Sequence, residues 1–287
     1  MDLQKSPKML QRLLNLSLIA LFLLSWITGC QKKEDNVNQD ASGRVTVVGS
    51  STLLPIIQAA SEEYAKENKE AKVDVQGGGS SVGIESTINN TAAIGMTSRE
   101  PTDEEMAKGL VKTAIAVDAI AIIVNPDNPV DDLTSEQARK IFSGEINNWR
   151  AVGGKNEEII LVNRDEASGT REAFAKLLMG KDDFLKKAII QPGSGQVRSV
   201  VGGTPEAIGY LSRGYVNKEV KVVALDSVRP SITTIKKGSY PLSRPLYLVT
   251  KGKPKGLAKD FIDFVLSPAV QHEIVGTAYE PIIEVKK

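Results

Sequence analysis

Reactive and metal-binding side chains are scarce in this chain of 287 residues, which has one cysteine, Cys30, and one histidine, His272. A zinc or redox-metal site draws on several such ligands, so neither metal chemistry nor a cofactor has much to stand on. An intrachain disulfide is excluded for want of a second thiol. Excess charge is lacking too: 36 basic and 35 acidic side chains give a formal net charge of +1. Without Asp2, Lys5, Lys8 and Arg12 those counts become 33 and 34. No basic field is left to attract nucleic acid. The apolar run over residues 13–27 is broken by Asn15, Ser17 and Ser25. It is too short for a comfortable transmembrane helix, which needs roughly 20 residues.

That run has the length of a signal-peptide core, and Lys5, Lys8 and Arg12 give it a basic start. It leads into Ile27-Thr28-Gly29-Cys30, which resembles the lipobox of bacterial lipoproteins. The lipobox resemblance implies a signal peptide over residues 1–29, cleavage before Cys30 and a lipid on its thiol. The protein would then be exported and held at a membrane, in the periplasm or at the cell surface. Residues 30–43 continue as a polar, non-periodic segment and read as a flexible tether.

From Arg44 onward, short β-rich runs alternate with helical spacing. Strands are expected at 45–48, 73–76, 92–96 and 115–124, with helices at 54–69, 81–89 and 102–109 between them. In the helix at 54–69, Ile57, Ala60, Tyr64 and Ala65 form a plausible apolar stripe. A second set follows, with helices at 135–142, 170–179 and from 197, and strands at 159–163, 208–211 and 220–224. A strand at 246–250 and an amphipathic helix at 257–266 come last. The alternation argues for an α/β fold with a largely parallel sheet. A single core of this size is unusual, so two α/β lobes are expected. Residues 44–121 and 249–287 would form lobe 1, and 122–248 lobe 2, with crossing strands at 120–124 and 246–250.

Three segments share one design: a strand, a turn rich in Gly, Ser and Thr, then a helix. They are Gly49-Ser50-Ser51-Thr52, Gly77-Gly78-Gly79-Ser80-Ser81 and Ser168-Gly169-Thr170. Helix first turns present unsatisfied N–H groups and partial positive charge. Small residues let an anion approach that backbone. One such turn is an ordinary helix cap; three in one chain point to convergent oxyanion binding. None continues into the Gly-Lys-Ser/Thr of a nucleotide-binding loop. Arg164 stands four residues before Ser168, with Glu166 between them. Its planar guanidinium suits bidentate contact with a tetrahedral oxyanion, and Glu166 could fix its orientation. An exposed ion pair is the plainer reading of those two residues.

In order along residues 44–284 stand VVGSSTLLPI, QGGGSSVGI, IGMTSREP, IFSGEINNW, VNRDEASGTREAF, AIGYLS and YPLSRPLYLV. This combination resembles the phosphate-binding component of the bacterial high-affinity phosphate ABC transporter. The resemblance implies a two-lobed binding-protein fold (type II-like), each lobe a mixed sheet flanked by helices. It implies a monomer that closes around one inorganic phosphate and delivers it to an ABC permease, and it implies no enzyme activity. Position by position, it places Ser51, the Thr52 backbone and Ser80 on one lobe, and Arg164, Ser168, Gly169 and Thr170 on the other, with Glu166 beside Arg164. This chain departs from the pattern at Ser98, where the resemblance leads one to expect an aspartate that accepts the ligand's proton. Arg99 beside it could add a donor to the ligand or pair with Glu100 or another surface acid, and the surface pair is the expected role.

Another carboxylate is expected to replace the missing one. Asp118, at the head of the apolar run IAVDAIAIIVN, is the candidate; the alternative is a turn cap or a pair with Arg99. Three rival functions remain, one of them a scaffold or adhesion role without tight ligand binding. Receptors for sulfate, molybdate or tungstate use similar helix ends. A serine hydrolase would use Ser81, centred in Gly79-Ser80-Ser81-Val82-Gly83, with His272 following in chain order. His272 lies in SPAVQHEIVG, a helical pattern where a catalytic imidazole is not expected.

Overall fold

Strands and helices alternate along residues 43–282, which the computed structural model describes. The leader, Cys30 and the tether up to residue 42 lie outside the described residues. The first part runs β1 (Arg44–Gly49), α1 (Leu54–Glu67), β2 (Lys72–Gly77), α2 (Ser80–Ile88), β3 (Ile94–Thr97), α3 (Asp103–Ala107) and the long β4 (Leu110–Val124). The second runs β5 (Asp132–Leu133), α4 (Ser135–Ser143), β6 (Ile160–Arg164), α5 (Gly169–Phe174), β7 (Ile189–Gln191), α6 (Ser194–Gly203), β8 (Ala207–Ser212), β9 (Lys221–Leu225) and α7 (Ile232–Lys236). Then β10 (Ser243–Lys251), α8 (Gly256–Val265), α9 (Pro268–Glu273) and β11 (Glu280–Pro281) return to the first part.

Local chemistry accounts for the helix starts. Helix α1 opens with Pro55 in its first turn, where no N–H bond is lost. It buries Ile56, Ile57, Ala60 and Tyr64. Ala65, expected in that stripe, is exposed, and Ile56 takes its place. Helix α3 starts on a reciprocal capping box between Thr102 and Glu105. Helix α6 begins at Ser194, three residues earlier than the apolar spacing indicates.

The strand order is β2-β1-β3-β10-β4-β8-β6-β7. Strands β1, β2 and β3 are parallel, as are β6, β7 and β8. Strands β4 and β10 run against their neighbours, so the sheet is mixed rather than largely parallel. Strand β4 joins the two parts. Its residues 110–119 pair with β10, and 120–124 pair with β8. Residues 120–124 and 246–250 therefore each pair within one part, and the crossing falls at Asp118–Ala119. One core packs Val47, Ile57, Ile94, Leu246, Leu248 and Phe261 around the first part. Another packs Phe142, Trp149, Phe174, Tyr210 and Val223 around the second. Smaller apolar clusters cover the opposite faces, as expected for sheets sandwiched by helices.

Helix α2 sits directly on the backbone of β1 and β3. A Cβ on Gly83 would lie 2.7 Å from Val48 O and 2.8 Å from both Gly49 Cα and Met96 O. These are main-chain atoms of packed strands and cannot turn aside. Gly83→Ala should therefore lower stability by about 1–3 kcal/mol through overpacking, despite alanine's better helix propensity. A denaturation midpoint equal to wild type would show that α2 can lift off the sheet.

Candidate anion-binding site

The three Gly/Ser/Thr turns meet. Thr52, Ser80, Ser98, Ser168 and Thr170 are all at most 1 % exposed. The Thr52 and Thr170 hydroxyls lie 3.2 Å apart, joining the first turn to the third. Ser98 N donates to Ser80 Oγ at 3.0 Å, and Ser50 Oγ donates to Ser98 Oγ at 2.9 Å. Gly169 stands where no side chain would fit, since its Cβ would fall 2.2 Å from Ser80 Oγ. Ser168 caps α5 by accepting from Arg171 N at 3.2 Å, which leaves its hydroxyl hydrogen free to donate elsewhere. Ser81 N donates to Ala167 O at 3.2 Å, and Tyr215 Oη donates to Ser51 O at 2.6 Å. The two parts are thus in contact around a hydroxyl-rich centre.

Arg164, at the end of β6, reaches this centre and is 2 % exposed. Its Nε donates to Gln191 O at 3.1 Å and its Nη2 to Pro192 O at 2.9 Å; Nη2 also lies 3.5 Å from Ser51 Oγ. Its Nη1 has no partner among the described residues. Burial pushes the guanidinium below its ordinary pKa, and Asp165 pulls it back. Glu166 does not take the orienting role expected of it. It is exposed on the turn, and the backbone carbonyls of residues 191 and 192 hold the guanidinium instead.

Asp118 lies beside this centre with its oxygens already engaged. Oδ1 accepts from Ser212 Oγ at 2.9 Å, and Oδ2 accepts from Arg244 Nη2 at 2.8 Å and Nε at 3.1 Å. Burial pushes the carboxyl pKa up, while Arg244, Ser212 and the Ala119 amide oppose that shift. It is therefore not a free acceptor for a ligand proton, and its partner is not Arg99. Arg244, which the sequence reading did not single out, is 3 % exposed. Beyond Asp118, it reaches Ser98 O at 2.9 Å, Thr52 Oγ1 at 3.3 Å and Gly169 O at 3.5 Å. All five of its N–H donors thus have acceptors, drawn from both parts. The available signal was an arginine set within the apolar run of β10, opposite an acid set within that of β4.

Arg99 is buried rather than a surface residue. It makes a two-pronged pair with Glu105 at 2.7 and 2.8 Å, and its Nε lies 2.7 Å from Glu172 in the second part. Burial resists ionisation of Glu105, but hydrogen bonds from Arg99 and Thr102 outweigh it and hold the carboxyl below its ordinary pKa. Ser81 Oγ donates to Glu172 Oε1 at 3.2 Å and accepts from Arg99 Nη2 at 3.3 Å. His272 is exposed on α9 and makes no hydrogen bond to Ser81, so the hydrolase pair is not assembled. No group of three or more candidate metal-ligating His, Cys, Asp or Glu side chains occurs among the described residues.

Removing one member of the Asp118–Arg244 pair leaves the other charge buried. Asp118→Leu or Arg244→Met alone should cost about 3–5 kcal/mol, and the double substitution much less than the sum. Additive losses in denaturant unfolding would mean that the two charges are independently solvated.

Known proteins share this architecture. A profile of the PBP superfamily domain matches residues 36–269. The phosphate-binding protein PstS of Bacillus subtilis is 36% identical over 252 residues, covering 86% of this chain and 84% of its own. The PstS of Borreliella burgdorferi is 34% identical over 246 residues, covering 82% and 88%. A phosphate ABC transporter substrate-binding protein of Clostridium perfringens, solved with bound phosphate, is 34% identical with a TM-score of 0.81. The match covers 84% of this chain and all of that one. The fold is the expected two-lobed α/β binding-protein fold. With the site's turns converging at the junction of its two parts, and with relatives matched over most of their length, this chain belongs to the PBP superfamily and, within it, to the family of the phosphate-binding proteins named PstS.

Proposed function

We propose that this protein captures inorganic phosphate between its two lobes outside the cytoplasm and delivers it to an ABC importer. The observation that carries this reading is Arg164: a buried guanidinium with no carboxylate in salt-bridge range among the described residues and one nitrogen without a partner. A buried cation in that state gains most from a desolvated anion. Ser51, Thr52, Ser80, Ser98, Ser168, Gly169 and Thr170 surround the anion with hydroxyls and helix-end amides. The phosphate-bound Clostridium relative and the names of the PstS relatives support phosphate as that anion. In this reading lobe 1 comprises residues 44–119 and 243–282 and lobe 2 residues 120–242, so the boundaries expected at 121 and 249 move to where β4 changes partners and β10 begins.

A second oxyanion has one observation in its favour. With Asp118 held by Arg244 and Ser98 in place of a carboxylate, the centre is built from donors and hydroxyls. Such a site rejects an unprotonated anion such as sulfate less strongly than one with a free carboxylate. Calorimetry of ligand-stripped protein with phosphate and then sulfate decides between them. Phosphate should bind more tightly. Arg164→Ala should weaken it by about 2–5 kcal/mol, as for a charge pair broken in a closed site. X-ray scattering should show a smaller radius with ligand. Equal phosphate affinity for wild type and Arg164→Ala removes the basis of the reading.

Outside the described residues, the lipobox supports cleavage before Cys30 and lipid attachment there, with residues 30–43 as the tether. No helix among the described residues is long and apolar enough to cross a membrane. Cys30→Ser should release the protein from membrane fractions and leave its phosphate affinity unchanged. Retention of that variant, together with a lipid-free wild-type N-terminus, would refute the anchor.

A further inference from the structure

The chain has a fourth Gly/Ser turn between a strand and a helix that none of the foregoing roles uses. Gly193-Ser194-Gly195 links β7 to α6, a helix of ten residues. Gly193 is the N-cap and its carbonyl accepts from Val197 N at 3.1 Å, so Ser194 occupies the first helical position. Ser194 is 0 % exposed, and its Oγ has no hydrogen-bond partner among the described residues. A buried hydroxyl left in that state is costly unless something polar meets it.

Two side chains locate this turn. The Arg164 guanidinium is fastened to the carbonyls of Gln191 and Pro192, immediately ahead of it. On the other flank, Gly195 faces the Tyr215 ring, with 3.9 Å between an ideal Cβ and the ring edge. Both flanking side chains then reach the same residue of the first turn: Arg164 Nη2 lies 3.5 Å from Ser51 Oγ, and Tyr215 Oη donates to Ser51 O at 2.6 Å. The start of α6 is thus bracketed by the two groups that close over Ser51. Arg164 Nη1, another buried donor without a hydrogen-bond partner among the described residues, belongs to the same bracket.

We infer that the N-terminus of α6 is a fourth oxyanion-facing turn, and that Ser194 Oγ and Arg164 Nη1 donate to the bound anion together. A single anion satisfies two buried donors that the protein itself leaves unmatched, and the first-turn amides of α6 add a favourable dipole. This deepens the phosphate reading and rests on it. It makes Ser194 a ligand-contacting residue in lobe 2, alongside Ser168 and Thr170.

The test is calorimetry of full-length, ligand-stripped protein with inorganic phosphate, with thermal unfolding measured in parallel. Ser194→Ala should bind phosphate about ten-fold more weakly or worse, the loss expected for a buried neutral donor. Its ligand-free melting temperature should equal or exceed that of wild type, because the substitution removes an unmatched hydroxyl. Wild-type phosphate affinity in Ser194→Ala overturns the inference and leaves the phosphate reading standing. No phosphate binding by wild type overturns both. If the variant does not fold, the amide resonances of Ser194 and Gly195 in wild type decide. They should shift on phosphate addition, and unchanged positions at saturation overturn the contact.

Discussion

Asp118 and Arg244 face each other on adjacent strands, at the point where β4 leaves one part of the sheet for the other. Neither charge touches solvent to any extent, so both have lost their hydration. Such a pair offsets that loss only when its remaining donors and acceptors are filled. Here they are: Ser212 completes the carboxylate, and Thr52, Ser98 and Gly169 complete the guanidinium. The pair therefore does more than hold two strands in register. It ties the first turn, the segment after β3 and the start of α5 to one rigid group. Tyr279 extends the same network: its Oη donates to Thr52 O at 2.7 Å and lies 3.3 Å from Ser212 Oγ.

Against that saturated arginine stands an unsaturated one. Arg164 is nearly as buried, yet its fixed partners are neutral carbonyls, which orient it without cancelling its charge. Identical side chains a short distance apart thus serve opposite ends. Arg244 is spent on architecture, while Arg164 has no carboxylate in salt-bridge range among the described residues. Arg99 makes a third case. Its bonds to Glu105 lie within its own part, whereas Glu172 belongs to the other, so one of its ion pairs spans the two parts.

The parts of the site that local sequence could reveal are those built from contiguous residues. The turns at 49–52, 77–81 and 168–170 are each a strand end, small residues and a helix start, and their meaning lies within a few positions. Arg164 belongs to the same kind of segment. Asp118 was legible as an acid in an apolar run, but its partner lies 126 residues away and depends on the register of β4 against β10. Nothing local encodes that register. Glu166 failed for a subtler reason: the turn after β6 sends residue 166 outward, while Asp165 stays close enough to act on the guanidinium. Arg99 looked like a surface residue because its second acid, Glu172, comes from the other part of the chain. The start of α6 was missed because periodicity weighs apolar residues, and its first turn is Ser194-Gly195-Gln196.

The position of β10 between β3 and β4 also constrains how the molecule is made. A chain produced from its N-terminus presents β3 and β4 more than a hundred residues before the strand that belongs between them. Until residue 251 appears, two buried strands have unfilled hydrogen-bonding edges, and Asp118 has no cation to meet. The strands of the second part all lie within residues 120–225, so that part can close on itself before β10 is made. The first part is thus the late-folding one, finished from its C-terminal end, as expected where non-local strand pairing governs the rate. Its slow completion comes from the order of the strands and would persist however well each helix formed alone.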